Sequence, residues 1–229
     1  MLFTALLPDW IEFHLYTLYT LFRPFLWLLF RALIGLYGGL KTVGRNNTPR
    51  EGGLIIAPNH QSYADPFAVG LSIRRPVWFL TTDEVFKNRT VGAIAKFLHA
   101  IPIKQDSPDR AALRRAIGLL KSGDALVVFP EGHLSETGEL QALQPGILLM
   151  AIQANAPILP VHIWGTPEML PPHETRLRIA KQPLRVLVGK PLSIEELTGG
   201  LKGREAIAHG VERLTAAMKE LEEGWPTQD

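Results

Sequence analysis

The sequence predicts an α/β fold: a largely parallel mixed sheet flanked by helices, preceded by an N-terminal membrane-associating helical hairpin. Three observations carry that expectation. Short, strongly apolar runs recur along the chain with helix-patterned segments between them. A hydrophobic share of 46% in 229 residues is ample for one core. Ten of the nineteen Phe, Trp and Tyr residues crowd between Phe3 and Tyr37, which sets the front of the chain apart. The expected organisation is residues 1–40 as membrane-associating helices and 41–229 as one α/β domain.

From Leu15 to Leu40 almost every residue is apolar or aromatic, interrupted by Arg23 and Arg31. A spanning helix needs about 20 consecutive apolar residues. The longest charge-free run here, Ala32 to Leu40, is shorter and carries Gly35, Gly38 and Gly39. Pro24 breaks a helix because it lacks an N–H and crowds the preceding turn. The expected form is two short helices, Asp9–Phe22 and Pro24–Leu36, lying in one leaflet or at its surface, monotopic on the cytoplasmic face. Arg23 and Arg31 then snorkel to headgroups, while Trp10, Tyr16, Tyr19, Trp27 and Tyr37 suit the interface. A buried helical hairpin and a single span are the alternatives. A secretory signal is not expected, since Asp9 and Glu12 stand where a basic n-region belongs.

A linker, Gly44–Gly53, follows. Leu54–Ala57 reads as a buried strand, Pro66–Ile73 as a helix, Val77–Thr81 as a strand and Val91–Leu98 as a helix. Ala100–Ile103 is a short strand. Ser107–Pro108 supplies an N-cap and first-turn pair for a helix ending at Gly123. Ala125–Phe129 is a strand, Gly146–Ala154 a helix, and Ile158–Ile163 and Arg185–Val188 are strands. Arg204–Glu222 is an amphipathic C-terminal helix.

Composition narrows the chemistry. With no cysteine there is no disulfide scaffold, thiol catalysis or thiolate zinc site. A net charge of +2 gives no reason to expect a nucleic-acid partner. The charge is uneven, however: up to Ser122 there are 15 Lys/Arg against 8 Asp/Glu, and from Gly123 onward 9 against 14. A basic front half suits an anionic surface or substrate, or is simply a solvated face.

In parallel sheets chemistry collects at the carboxyl ends of strands. Leu54–Ala57 runs directly into Pro58-Asn59-His60-Gln61-Ser62-Tyr63-Ala64-Asp65-Pro66. A histidine just past a strand with a carboxylate five residues on has the parts of an activated base: Asp65 accepts from Nδ1–H of His60 and leaves Nε2 free to take a proton. Asp65 also reads as N-cap of the helix that Pro66 opens. Ala125–Phe129 ends in Phe129-Pro130-Glu131-Gly132, then His133, Leu134 and Ser135. A carboxylate and a glycine there suit a hydroxyl-bearing ligand, or form a plain turn.

Taken in order, these pieces resemble the glycerolipid acyltransferase family, typified by 1-acyl-glycerol-3-phosphate acyltransferases. Asn59-His60 through Asp65 is similar to its His-x4-Asp block, Ala100-Ile101-Pro102-Ile103-Lys104 to its second, Phe129-Pro130-Glu131-Gly132 to its third and Ile158-Leu159-Pro160-Val161 to its fourth. The resemblance covers Lys41 to Leu192. It implies that His60 deprotonates an acceptor hydroxyl, which attacks the thioester of acyl-CoA or an acyl-carrier protein. Asp65 then holds His60, while Pro102, Lys104, Glu131, Gly132 and Ser135 line the acceptor site and Pro160 the acyl site. The implied partners are membrane lipids, the acyl donor and a lysophospholipid acceptor, lysophosphatidate or a relative. Neither a cofactor nor a metal is implied; the acyl donor is a co-substrate. A non-catalytic lipid-binding protein of the same fold and an acyl-thioester hydrolase are the competing readings.

Where the family carries Thr-Arg-Ser after the third block this chain has His133-Leu134-Ser135, and a family lysine appears as Gln144. Both lost cations are natural phosphate partners, leaving Lys104, with Arg74, Arg75 or Lys87 as compensating candidates. His99 and His162 read as packing residues, His162 as a satisfied core histidine. His14, His173 and His209 have no partner at metal-ligand spacing.

Overall fold

The computed structural model describes residues 21–22, 25, 27–88, 91–92, 95–96, 98–104, 109–172, 174 and 176–226. Seven strands form one sheet: β1 (Leu40–Val43), β2 (Leu54–Pro58), β3 (Trp78–Thr82), β4 (Ala100–Ile103), β5 (Ala125–Val127), β6 (Ile158–Trp164) and β7 (Leu184–Val188). Their order is β1-β7-β6-β2-β5-β3-β4. All neighbours are parallel except β6 and β7, so β1 and β7 run against the other five strands. The mixed, largely parallel sheet is the predicted one.

Central strands of such sheets are covered on both faces and read as continuous apolar runs. On β2, Ile55 and Ala57 face one core while Leu54 and Ile56 face the other, and all four are buried. The first face is covered by α3 (Arg110–Lys121), α4 (Gly146–Ala154) and α7 (Gly203–Glu223), with Leu120, Ile147, Leu148 and Met218 at its centre. The second is covered by α2 (Asp65–Ser72) through Ala68 and Val69. Two short helices, α5 (Thr166–Met169) and α6 (Ile194–Thr198), complete the domain.

The start of α3 corrects an expectation. Its N-cap is Asp109, which accepts from the amides of Ala111 and Ala112 at 3.1 and 3.0 Å. Two satisfied amides outweigh the first-turn proline signal, and Ser107 and Pro108 lie outside the described residues. No element was expected over residues 41–43; β1 there is a sheet edge whose residues alternate between half-buried and exposed.

A helix over 27–36, α1, precedes the sheet. It ends where Gly38 adopts φ +133°, with so little room beside Ala180 that a side chain has no place. Ile34 is buried against Ala64, Leu71 and Met169, and the Phe30 ring meets Phe67 at a tilt, centroids 5.0 Å apart. Trp27 lies on Gly70 of α2, so its ring serves the domain contact instead of the interface role expected of it. Arg31 is exposed, as are Leu28, Leu29, Leu33 and Leu36 along the outer face. Trp10 and Arg23, with most of the expected first helix, lie outside the described residues. Among the described residues no helix is long and apolar enough to cross a membrane.

Candidate active site

Adjacent parallel strands β2 and β5 send their chains to opposite faces, β2 into α2 and β5 on toward α4. A crevice opens at their carboxyl ends for that reason. His60 leaves β2 there and Glu131 leaves β5.

Asn59 fixes the exit from β2. Beyond Pro58 its buried side chain continues the ladder to β6, Oδ1 accepting from the Ile163 amide at 2.8 Å and Nδ2 donating to the Ile163 carbonyl at 3.1 Å. The next residue, His60, turns its ring back over Phe129, stacked with centroids 3.9 Å apart. Nδ1 of His60 lies 2.9 Å from Oδ2 of Asp65. That same oxygen accepts from the amides of Gln61 and Ser62 at 2.7 and 2.8 Å. Asp65 is buried and so tightly held that it fixes the Nδ1–H tautomer of His60. Among the described residues none hydrogen-bonds Nε2, and the ring keeps 16% of its surface exposed. Asp65 is not the N-cap of α2: Ala64 occupies that position and the carboxylate reaches backward into the turn.

Glu131 is wholly buried. Its Oε1 accepts from the His60 amide at 2.8 Å and its Oε2 from the Gln141 amide at 2.9 Å. Burial pushes its carboxyl above the usual range, opposed by those two amides. Glu131 therefore clamps two loops from beneath; neither oxygen is offered to an acceptor. Ser135 is likewise buried and spent within its loop, its amide donating to the His60 carbonyl at 2.7 Å and its hydroxyl to the Glu139 carbonyl at 2.7 Å. Gly132, at φ +79° beneath the Gln144 side chain, is exposed at the crevice rim. An open cleft of about 270 Å³ beside it is lined by His133, Leu134, Glu136, Thr137 and Gln141.

Pro102 and Lys104 are exposed at the end of β4, the outermost strand on that side. With β5 and β3 between, Lys104 stands about 14 Å across the sheet from β2. Pro160 is buried inside β6, level with Ala57, its carbonyl accepting from the Gly189 amide at 2.9 Å. The structure thus gathers His60, Asp65, Glu131, Gly132 and Ser135 into one cluster and leaves Pro102, Lys104 and Pro160 apart from it.

Two compensating cations are at the wrong end of the sheet. Arg75 donates to the carbonyls of Gly52 and Gly123, just before β2 and β5, and Arg74 bonds Asn46. Lys87 is paired with Glu84. His99 precedes β4, edge-on to Trp78, with burial holding its imidazole down to about 4. His162 is buried beside Trp164, but its Nδ1 has no hydrogen-bond partner among the described residues, so it is not the satisfied histidine expected.

Residues missed by sequence reasoning are the braces. Gln61 Nε2 donates to the Gly138 carbonyl at 2.6 Å and Ser62 Oγ to the Leu170 carbonyl at 2.6 Å. Phe129, which holds the imidazole plane, belongs with them. Their only sequence signal is adjacency to His60 and Glu131.

The acyltransferase family model matches residues 39–164. The 1-acyl-sn-glycerol-3-phosphate acyltransferase of Bacillus subtilis (strain 168) is 28% identical over 193 residues, spanning 84% of this chain and 92% of that protein. A chloroplastic 1-acyl-sn-glycerol-3-phosphate acyltransferase of Brassica napus, BAT2, is 26% identical, spanning 67% of this chain and 44% of its own length. The crystal structure of the 1-acyl-sn-glycerophosphate acyltransferase PlsC from Thermotoga maritima has the same fold, with a TM-score of 0.64 at 24% identity over 88% of this chain and 81% of that one. With the matched segment running from β1 to the end of β6 and taking in both strand exits of the crevice, this chain belongs to the acyltransferase family.

Proposed function

We propose that this protein transfers a fatty acyl group from a thioester donor, acyl-CoA or acyl-carrier protein, to the free hydroxyl of 1-acyl-sn-glycerol-3-phosphate or a related lysophospholipid, working at a membrane surface. The observation that carries the reading is the 2.9 Å His60–Asp65 pair, on a ring 16% exposed whose Nε2 has no hydrogen-bond partner among the described residues.

In the reaction Nε2 of His60 takes the hydroxyl proton as the oxygen attacks the thioester carbonyl. Asp65 stabilises the imidazolium that forms. Collapse of the tetrahedral intermediate breaks the C–S bond, and the imidazolium returns the proton to the leaving thiolate. A thioester is already activated, so a positioned hydroxyl and a base suffice without a covalent acyl-enzyme. The names of the relatives support the acceptor class. Leu134 and Gln144, in place of cations, favour weaker demands on the acceptor's phosphate than the family pattern makes.

The test is the purified protein with labelled acyl-CoA or acyl-carrier protein and a panel of lysolipids differing in headgroup charge. Transfer is expected, and His60→Ala should cut kcat/KM by roughly 10²–10⁴ with an unchanged melting temperature. Thioester hydrolysis without transfer, or binding without turnover, overturns the reading.

A further inference from the structure

The chain between α5 and β7 presents a feature that catalysis does not use. Leu177 and Ile179 are 44% and 75% exposed, interleaved with Arg176, Arg178 and Lys181. An isoleucine that open is uninformative alone, but here the backbone holds it outward. The amides on either side are both tied inward, Arg178 to the Met169 carbonyl at 2.8 Å and Ala180 to the Tyr37 carbonyl at 2.8 Å. Ile179 therefore cannot fold back to bury itself. Ala180 sits in the same cluster as Ile34 and Tyr37, so the loop packs beside the C-terminal end of α1. An open groove of about 670 Å³ beside it is lined by Tyr37, Glu174 and residues 176–179 of the loop.

We propose that the loop over 176–181 is a second membrane-contact element, which seats Leu177 and Ile179 among the headgroups of an anionic phospholipid surface beside α1. This rests on the membrane-surface reading above. The occupant follows from charge and continuity. Arg178 is neutralised by Glu174, through contacts of 2.7 and 2.8 Å. Arg176 and Lys181 meet no carboxylate with their side chains among the described residues and stand on either side of the apolar pair, as Arg31 does on α1. Apolar residues ringed by unpaired cations fit an anionic bilayer, where insertion and headgroup attraction add. The loop's root also reaches the crevice, since Leu170 accepts from Ser62 in the His60 turn. Seating the loop turns that crevice toward the surface that carries a lipid acceptor.

The absence of cysteine makes the test clean. Ile179→Cys in the full chain is labelled with an environment-sensitive fluorophore, with Gln153→Cys on α4, across the sheet, as reference. Vesicles of phosphatidylglycerol with phosphatidylcholine, and of phosphatidylcholine alone, are added while sedimentation reads total binding. The label at 179 should shift to an apolar emission and be quenched by nitroxide lipid on the anionic vesicles, with the label at 153 unmoved. Arg176→Glu with Lys181→Glu should weaken binding to the anionic vesicles by about tenfold. A protein that sediments with vesicles while the label at 179 keeps its aqueous emission overturns this inference and leaves the surface reading standing. One that fails to sediment with either vesicle overturns both. A shift that follows protein concentration before lipid is added puts a second copy on the loop and likewise overturns it.

Discussion

The turns leaving β2 and β5 carry the same kind of polar residues and use them in opposite ways. After β2, the single oxygen Oδ2 of Asp65 gathers two amides and an imidazole nitrogen, and Nε2 of His60 is left without a partner among the described residues. After β5, Glu131 and Ser135 spend their oxygens on main-chain groups. The first turn makes a reactive atom available and the second makes the first turn rigid. Motif residues of equal prominence thus divide into one that the proposed reaction puts against substrate and others that position it.

The largest effect is expected at Asp65. In Asp65→Asn the amide oxygen can still receive the two loop amides, so the turn survives and the melting temperature should move by only a few degrees. The imidazolium loses its counter-charge, and kcat/KM should fall roughly 10²-fold or more. Paired melting curves and steady-state rates read this; a melting loss as large as the rate loss would make Asp65 a mere brace.

Glu131→Gln sharpens the other side. An NH₂ group now faces either the His60 or the Gln141 amide, and one buried donor goes unmatched at a cost of about 1–3 kcal/mol. Stability should drop visibly, and kcat should drop about tenfold as the imidazole loses its register, with KM for the acceptor little changed. A large rise in KM alone would instead put Glu131 in direct contact with the acceptor.

How much of this was legible in the chain follows the same division. β2, β5 and β6 announce themselves because burial on both faces writes continuous apolar runs. β1 does not, since an edge strand holding Lys41 and leading into Gly44 looks like linker. The His60–Asp65 spacing is local, and a five-residue turn can be read as one unit. Glu131 bonding across to His60, or Ser62 to Leu170, joins residues 71 and 108 positions apart. Hydrogen bonds of that range leave no periodicity, so the braces look like loop composition. Arg74 and Arg75 misled for a related reason: charge is visible in sequence, but which end of a strand it decorates is decided by the topology.

One strand over from His60 the molecule holds a second imidazole without such a turn. His162 sits in the antiparallel pair with Leu187, 2% exposed, its Nδ1 unpartnered. Burial holds its pKa down to about 4, against a small opposing pull from Asp65. Between pH 6.5 and about 4 the unfolded chain therefore binds a proton that the folded chain refuses, and stability falls as pH falls through that window. His162→Leu removes the term. Its gain in unfolding free energy over the parent should grow by about 1–2 kcal/mol between pH 8 and pH 5. Urea titrations of both proteins at the two pH values measure it, and parallel pH profiles would mean that the buried ring shares a proton the geometry does not display. His60→Ala, by contrast, should cost turnover and leave this acid limb in place, because His162 is untouched.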